Sequence, residues 1–341
     1  MDTTTERYDE LKNDKTRADG SLPRPWYELW TRKFFNAVLA CGPLPKHIGF
    51  IMDGNRRFAQ KKSMEKIVGH TMGFNKLKEA LEWCLELGVE VVTVYAFSME
   101  NFKRSPEEVS ALMRLAAEKF EELLNQEDII HKHGVSIRVL GDISLVPDYL
   151  QHSMATAIHN TRNNSKYLEM VTAAQTLSAG VQEGLINVED INGDLLEECM
   201  YTSGCPPLDI LIRTSGEKRL SDFLLWQSAH CCLSFVDVLW PEFSAWDLYR
   251  TILFYQQNHA HIKERREAYE RTKRQSQKEL DLHELQKGSG GIASLHGALE
   301  KVEAERVQRT QHFLGVARQR QSDLIAGLCT QEEALRQQER N

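Results

Sequence analysis

What most constrains this chain is a device that occurs three times: a short apolar run of strand length that stops in a polar, cation-rich loop. The first run, Ile48 to Met52, ends in Asp53-Gly54-Asn55-Arg56-Arg57 and then turns helical in pattern. The second, Val89 to Phe97, is almost wholly apolar, as a strand buried on both faces of a parallel sheet should be. It ends in Ser98-Met99-Glu100-Asn101-Phe102-Lys103-Arg104. The third, Asp209 to Ile212, runs into Arg213-Thr214-Ser215-Gly216-Glu217-Lys218-Arg219-Leu220-Ser221. Strands alternating with helices define the α/β class, and parallel strands set their carboxyl ends along one edge. The three loops therefore converge on one place.

Two arginines directly after the first strand favour a phosphate ester. Asp53 beside them is a poor direct partner for phosphate unless a divalent cation stands between the like charges, so the stretch predicts phosphate bridged by Mg²⁺ with Asp53 as metal ligand. Asp-Gly is first of all an ordinary turn dipeptide, and taken alone the loop reads more readily as a plain connection. The second and third loops tip the balance, because three basic strand ends on one edge are poorly explained by chance surface charge.

Around this centre the chain divides by composition. Residues 1–24 are charged and poor in large apolar side chains and are expected to be disordered. Residues 25–42 form an amphipathic helix from Pro25, with Trp26, Trp30, Phe34 and Val38 at helical spacing and Leu29 alongside. That helix suits either a membrane surface or the protein's own body. Residues 43–260 carry the strand-loop-helix units. Within them Leu77, Leu81, Cys84 and Leu85 make a helical stripe that stops at Gly88. Ser105, Pro106 and Glu108 read as N-cap, N1 and capping-box partner of a helix with Val109, Leu112, Met113, Ala116, Phe120, Leu123 and Leu124 on its apolar face. Val135–Leu140 and Leu233–Val238 read as further strands, and Ser244 caps a helix from Ala245. Residues 261–287 continue it as a charged extension expected to leave the globule. Residues 288–341 read as a flexible linker and a charged, partly helical tail with no catalytic group. A net charge of −7 implies no wide basic face and argues against nucleic acid. Seven scattered cysteines without metal-ligand spacing read as reduced and cytosolic, and no apolar run reaches the length of a membrane span.

DGNRRFA, the Gly69-His70 pair, YAFSMENFKRS, ILIRTSGEKRLSDFLLWQ and VLWPEF, in this order, resemble the cis-prenyltransferases, and more narrowly the eukaryotic catalytic subunits of that family, over roughly Pro43 to Asn258. The resemblance implies a parallel sheet flanked by helices around a hydrophobic tunnel. It also implies condensation of isopentenyl diphosphate onto an allylic diphosphate primer with new cis double bonds, giving polyprenyl diphosphate for dolichol synthesis and protein glycosylation. By the same resemblance Asp53 binds Mg²⁺, and Gly54, Asn55, Arg56 and Arg57 hold the allylic diphosphate with His70 nearby, although His70 also reads as a plain helix-start histidine. Ser98 and Asn101 assist at the reacting end, Arg213, Arg219 and Ser221 bind the isopentenyl diphosphate, and Arg104 makes a further diphosphate contact. The DDxxD motif of trans-prenyltransferases is absent, in keeping with a single-aspartate mechanism.

Three departures from the family pattern stand out. Lys166-Tyr167-Leu168-Glu169-Met170 runs straight into Val171-Thr172-Ala173-Ala174-Gln175, so one core strand and its turn are missing between the helix near Thr156 and the one containing Gly180. Cys232 occupies the place of a metal-associated glutamate of bacterial members. The chain closes on Gln337-Gln338-Glu339-Arg340-Asn341 without the Arg-x-Gly tail that completes the diphosphate site of single-chain members. The resemblance accordingly implies a heteromer with a membrane-anchored, non-catalytic, Nogo-B receptor-like subunit that donates the tail, peripheral at the cytosolic face of the endoplasmic reticulum. Two other readings carry less weight. An inactive or regulatory subunit of the same fold is expected to lose the Asp-Gly-Asn-Arg loop, and a doubly wound phosphatase needs acidic company that Asp53 lacks.

Overall fold

All three expected runs enter one sheet, joined by a fourth. In a computed structural model of the chain, which describes residues 26–125, 135–140, 145–160, 170–200, 202–287 and 295–340, β1 (His47–Ile51) and β3 (Ile210–Arg213) are central. β2 (Val91–Tyr95) and β4 (Cys232–Phe235) flank them in the parallel order β2-β1-β3-β4. Ile51 stands opposite both Tyr95 and Arg213, and Arg213 stands opposite Phe235, so the four carboxyl ends are level along one edge. β1 and β3 are buried at every residue. β2 is not buried on both faces as its apolar run suggested: only Thr93 is buried, because β2 is the outer strand of the described sheet.

The two-residue period of the central strands makes two cores. Ile48, Phe50, Ile210 and Ile212 face Trp83, Trp240, Phe243, Tyr249 and Ile252, whereas Ile51 and Leu211 face Leu208 and Leu224. Around the sheet stand α1 (Trp26–Leu39), α2 (Asn55–Lys61), α3 (Lys66–Glu86), α4 (Pro106–Asn125), α5 (Asp148–Asn160), α6 (Met170–Gln182), α7 (Gly193–Glu198), α8 (Ala245–Lys287) and α9 (Leu295–Arg340).

Four expectations about elements change. Val135–Leu140 is irregular rather than a strand, and the described sheet ends at β2. α1 docks on the body through Phe35 and Leu39, not through the stripe read from its spacing. Phe35 meets Trp246 edge-on at 4.6 Å and stacks on Tyr249, while Trp30, Phe34 and Val38 are exposed. The charged half of α8 does not leave the globule. Ile262 packs on the main core, Arg266 donates to the carbonyls of Leu208 and His230, and Lys273 pairs with Asp194 and Glu197. α9, finally, is no tail: it packs along α5 and α8 and buries Phe313 in a separate core with Leu177, Ile186, Leu195 and Met200. A quartet of charges fastens it there. Arg306 grips Asp281 with two hydrogen bonds of 2.8 and 2.6 Å, and Arg309 grips Asp190 with two of 2.9 and 2.8 Å. No strand lies between α5 and α6 among the described residues. The abrupt join at residues 166–169 and the N-terminal residues 1–25 fall outside them.

Candidate active site

The level edge of the sheet brings the first and third loops into direct contact around Asp53. Its backbone carbonyl accepts from the hydroxyls of Thr214 at 2.7 Å and Ser215 at 2.8 Å and from the N–H of Trp240 at 3.0 Å. Its N–H donates to Thr214 Oγ1 at 3.0 Å. The carboxylate is thus aimed by backbone bonds that do not occupy it. Oδ2 accepts from Arg213 Nη2 at 2.9 Å, and Oδ1 lies 3.7 Å from Arg57 Nη2. Gly54, next in line, sits at φ +108°, where a side chain is strained, and an added Cβ would strike Ser215 Oγ. Only glycine lets the two loops close this tightly.

Arg213 is the best-buried cation of the site, 3% exposed, and is already committed. Its Nη1 donates to the carbonyl of Arg219 at 2.7 Å and to Ser221 Oγ at 2.9 Å, so it ties the third loop to Asp53. Arg219 itself projects, with its side chain 60% exposed, and pairs with Glu217, which also lies 3.5 Å from Arg57. Ser215, Ser221, Asp222 and Leu224 all adopt positive φ. Such strain, about 1–3 kcal/mol at each residue, persists where neighbours over-determine the backbone and concentrates at functional loops.

The second loop joins from the other side. Arg104 and Arg56 approach one carboxylate, Glu108, at 3.3 and 3.7 Å. Ser98 and Asn101 close their own turn, the N–H of Ser98 donating to Asn101 Oδ1 at 3.4 Å, at the carboxyl end of β2. His70 lies inside α3, and its Nε2 is buried with no hydrogen-bond partner among the described residues. Burial, with the charges of Arg104 and Arg56 outweighing that of Glu108, pushes its pKa down to about 4, so the ring is neutral at pH 7. Asn55 Oδ1 is likewise buried without a partner, against Gly73, where a Cβ would collide with it.

The structure thus links Asp53, Gly54, Arg57, Arg213, Arg219 and Ser221 into one network and sets Arg56, Arg104 and His70 in a second cluster about Glu108. Sequence reasoning gave Ser221 a role but saw Thr214 and Ser215 only as part of a polar run. That Thr214 and Ser215 hold Asp53, and that Glu108 and Glu217 each pair with two arginines, depends on tertiary contacts no local pattern carries. Among the described residues no group of three or more His, Cys, Asp or Glu could hold a metal ion. Asp53 can offer a single ligand, which suits a hard cation drawing its other ligands from substrate oxygens and water. Cys232 opens β4 opposite Ile210, at the far end of the strands from Asp53. A cavity of ≈ 610 Å³ lined by Leu177, Val181, Ile191, Leu196, Trp226 and others shares no residue with the arginine network.

Guanidinium groups gathered about Asp53 at the carboxyl edge of a parallel sheet suit a phosphate ester. Residues 51–263 match the family described as putative undecaprenyl diphosphate synthase, and the chain belongs to that family, the cis-prenyltransferases. It is 45% identical over 321 residues to the human dehydrodolichyl diphosphate synthase complex subunit, covering 89% of this chain and 96% of the relative. It is 43% identical over 244 residues to the tritrans,polycis-undecaprenyl-diphosphate synthase (geranylgeranyl-diphosphate specific) of Pyrococcus abyssi, covering 68% of this chain and 92% of that one. Among solved structures, lavandulyl diphosphate synthase of Lavandula x intermedia in complex with dimethylallyl diphosphate superposes with a TM-score of 0.57 at 29% identity, covering 62% of this chain and 95% of that one.

Proposed function

We infer that the chain elongates an allylic diphosphate with isopentenyl diphosphate in the cis sense, as the catalytic member of a dolichol-forming complex. The observation that carries this reading is the linkage of the first and third strand ends through Asp53 and Arg213, beside the cation-bearing second loop. Loss of the allylic diphosphate concentrates negative charge on the leaving group, and preorganised cations are worth several kcal/mol against it. In this reading Arg56, Arg57 and Arg104 bind the primer's diphosphate, while Arg219 and Ser221 bind that of isopentenyl diphosphate. Arg213 holds Asp53 and the third loop in register, a positioning role that its burial favours over direct contact. Mg²⁺, when bound, supplies further charge neutralisation at the leaving oxygens, with Asp53 as its one protein ligand. Ser98, Asn101 and neutral His70 line the reacting end. The half-buried face of α4 at Val109, Leu112, Ala116 and Phe120 supports an apolar tunnel for the growing chain.

Partner and place belong to the same proposal. The human relative is named as a complex subunit. The third loop, with Arg219 exposed, leaves room for a second chain to complete the cradle, which supports a Nogo-B receptor-like subunit in that position. No helix among the described residues is long and apolar enough to cross a membrane, so attachment at the cytosolic face of the endoplasmic reticulum rests on a surface. Trp30, Phe34 and Val38 of α1, next to exposed Trp246, support one. Incorporation of radiolabelled isopentenyl diphosphate, with product sizing, tests the whole. Chain plus partner should yield long polyprenyl products at one to several orders of magnitude above the chain alone, the scale of a lost oxyanion-type contact. No incorporation by the pair would overturn the enzymatic reading, and full activity of the isolated chain would overturn the heteromer.

A further inference from the structure

Glu108 plays a part that its sequence position conceals. As the third residue of α4 it reads as a capping-box partner, and its N–H does donate to Ser105 Oγ at 3.3 Å. The carboxylate, however, turns to the site: Oε2 accepts from Lys66 Nζ at 2.9 Å, and Oε1 accepts from Arg104 Nη1 at 3.3 Å and lies 3.7 Å from Arg56 Nη1. Its side chain is 11% exposed against 51% for Arg56. Three cations from three elements, α2, the start of α3 and the loop after β2, therefore share one largely buried carboxylate.

Two guanidinium groups brought side by side repel each other. Burial and the Arg56 charge both act against the charge on Arg104, and Glu108 acts for it. Burial also opposes the charge on Glu108, but Lys66, Arg104 and Arg56 outweigh it and hold the carboxyl below its usual range. An ionised carboxylate at this point fixes the distance between the two arginines while occupying only an edge of each planar fork, and five N–H donors per guanidinium leave the remainder for a ligand.

We propose that Glu108 is a positioning residue for the reaction, setting the spacing of Arg56 and Arg104 so that they meet a diphosphate as a preformed pair. The inference rests on the reading that those two arginines bind diphosphate. The opposite arrangement is a carboxylate standing in the phosphate's own place, to be expelled when substrate arrives. The burial of Glu108, and the hold of Lys66 on its second oxygen, favour a fixed tether.

The two arrangements differ in sign. Inorganic pyrophosphate with Mg²⁺, titrated calorimetrically into the full chain, should bind about 10- to 100-fold more weakly to Glu108→Gln, the scale of a small misplacement of binding groups. Added to Arg56→Ala/Arg104→Ala, the same change should alter affinity less than twofold, since nothing is left to position. Glu108→Asp, which keeps the charge but withdraws it by one methylene, should lie between wild type and Glu108→Gln. In turnover the KM for the allylic primer should rise with the pyrophosphate Kd while that for isopentenyl diphosphate moves less than twofold, a split that general loss of folding does not produce. Tighter or unchanged pyrophosphate binding by Glu108→Gln, or an undiminished loss in the double-arginine background, overturns the tether. Should Arg56→Ala/Arg104→Ala bind pyrophosphate as well as wild type, the assignment of those arginines to diphosphate fails first, and the tether with it.

Discussion

At Asp53 the backbone and the side chain do separate jobs. The main chain is held by Thr214, Ser215 and Trp240, so the carboxylate can be altered without releasing the loop. Asp53→Asn keeps an acceptor for Arg213 but removes the charge a metal needs. It should fold with a thermal midpoint within a few degrees of wild type and lose about 10³-fold or more in elongation. Turnover within tenfold of wild type would contradict this. Arg219 is exposed, so Arg219→Ala should leave stability within about 0.5 kcal/mol. In initial-rate kinetics it should raise the KM for isopentenyl diphosphate more than that for the primer, and equal effects on both would remove it from the isopentenyl site. His70 gives a prediction in pH. Its folded pKa of about 4 lies below its ordinary 6.5, so on acidification the unfolded chain takes up the proton first. Stability contributed by neutral His70 is complete above pH 6.5 and is lost as the pH falls towards 4. Midpoints measured across that window should fall less steeply for His70→Asn than for wild type.

Among the elements, α1 and α9 show where reading by period stops. The strand-loop-helix units were legible because an apolar run, its abrupt polar end and the following helix are all local, and the site loops came with them. α1 carries two apolar stripes a fraction of a turn apart, Trp26-Trp30-Phe34-Val38 and Phe35-Leu39. Its own spacing cannot choose between them; the rings of Trp246 and Tyr249, two hundred residues further on, make the choice. Phe35→Ala should therefore cost about 1–3 kcal/mol in denaturant unfolding and Phe34→Ala about 0.5 or less; the reverse order would reinstate the predicted face. α9 read as a tail because Arg306 and Arg309 look like solvated surface until Asp281 and Asp190 are placed beside them. The run at Val135–Leu140 has strand composition, but a ladder requires a neighbour in register, which composition does not specify. Glu108 was found at the right position with the wrong partner, since a capping box is a local pattern and three converging cations are not.

For the molecule as a whole, α9 closes a second core that the sheet does not reach. Phe313 is 2% exposed against Gly180, Ile186 and Leu177, so Phe313→Ala should cost about 3–5 kcal/mol by equilibrium unfolding. Removing residues 295–340 should do more: it bares Leu177, Ile186 and Met200 and leaves Asp190 buried without Arg309. The shortened chain should bind a hydrophobic dye and melt well below the full chain, and an unchanged melting curve would restore the tail as a dispensable appendage.

This closure also sets an order of events during synthesis. A ribosome working at about 5–20 residues per second releases Met200 on the order of ten seconds before Phe313. From the release of Arg213 onward β1 and β3 can pair, while one hydrophobic face of the nascent chain waits uncovered for its last helix. The arginine site can therefore assemble ahead of the part of the molecule that shields it from aggregation. A transcript interrupted anywhere between the codons for Lys287 and Phe313 encodes a protein with its arginine loops in place and its second core exposed, a product for chaperones to retain and proteases to clear.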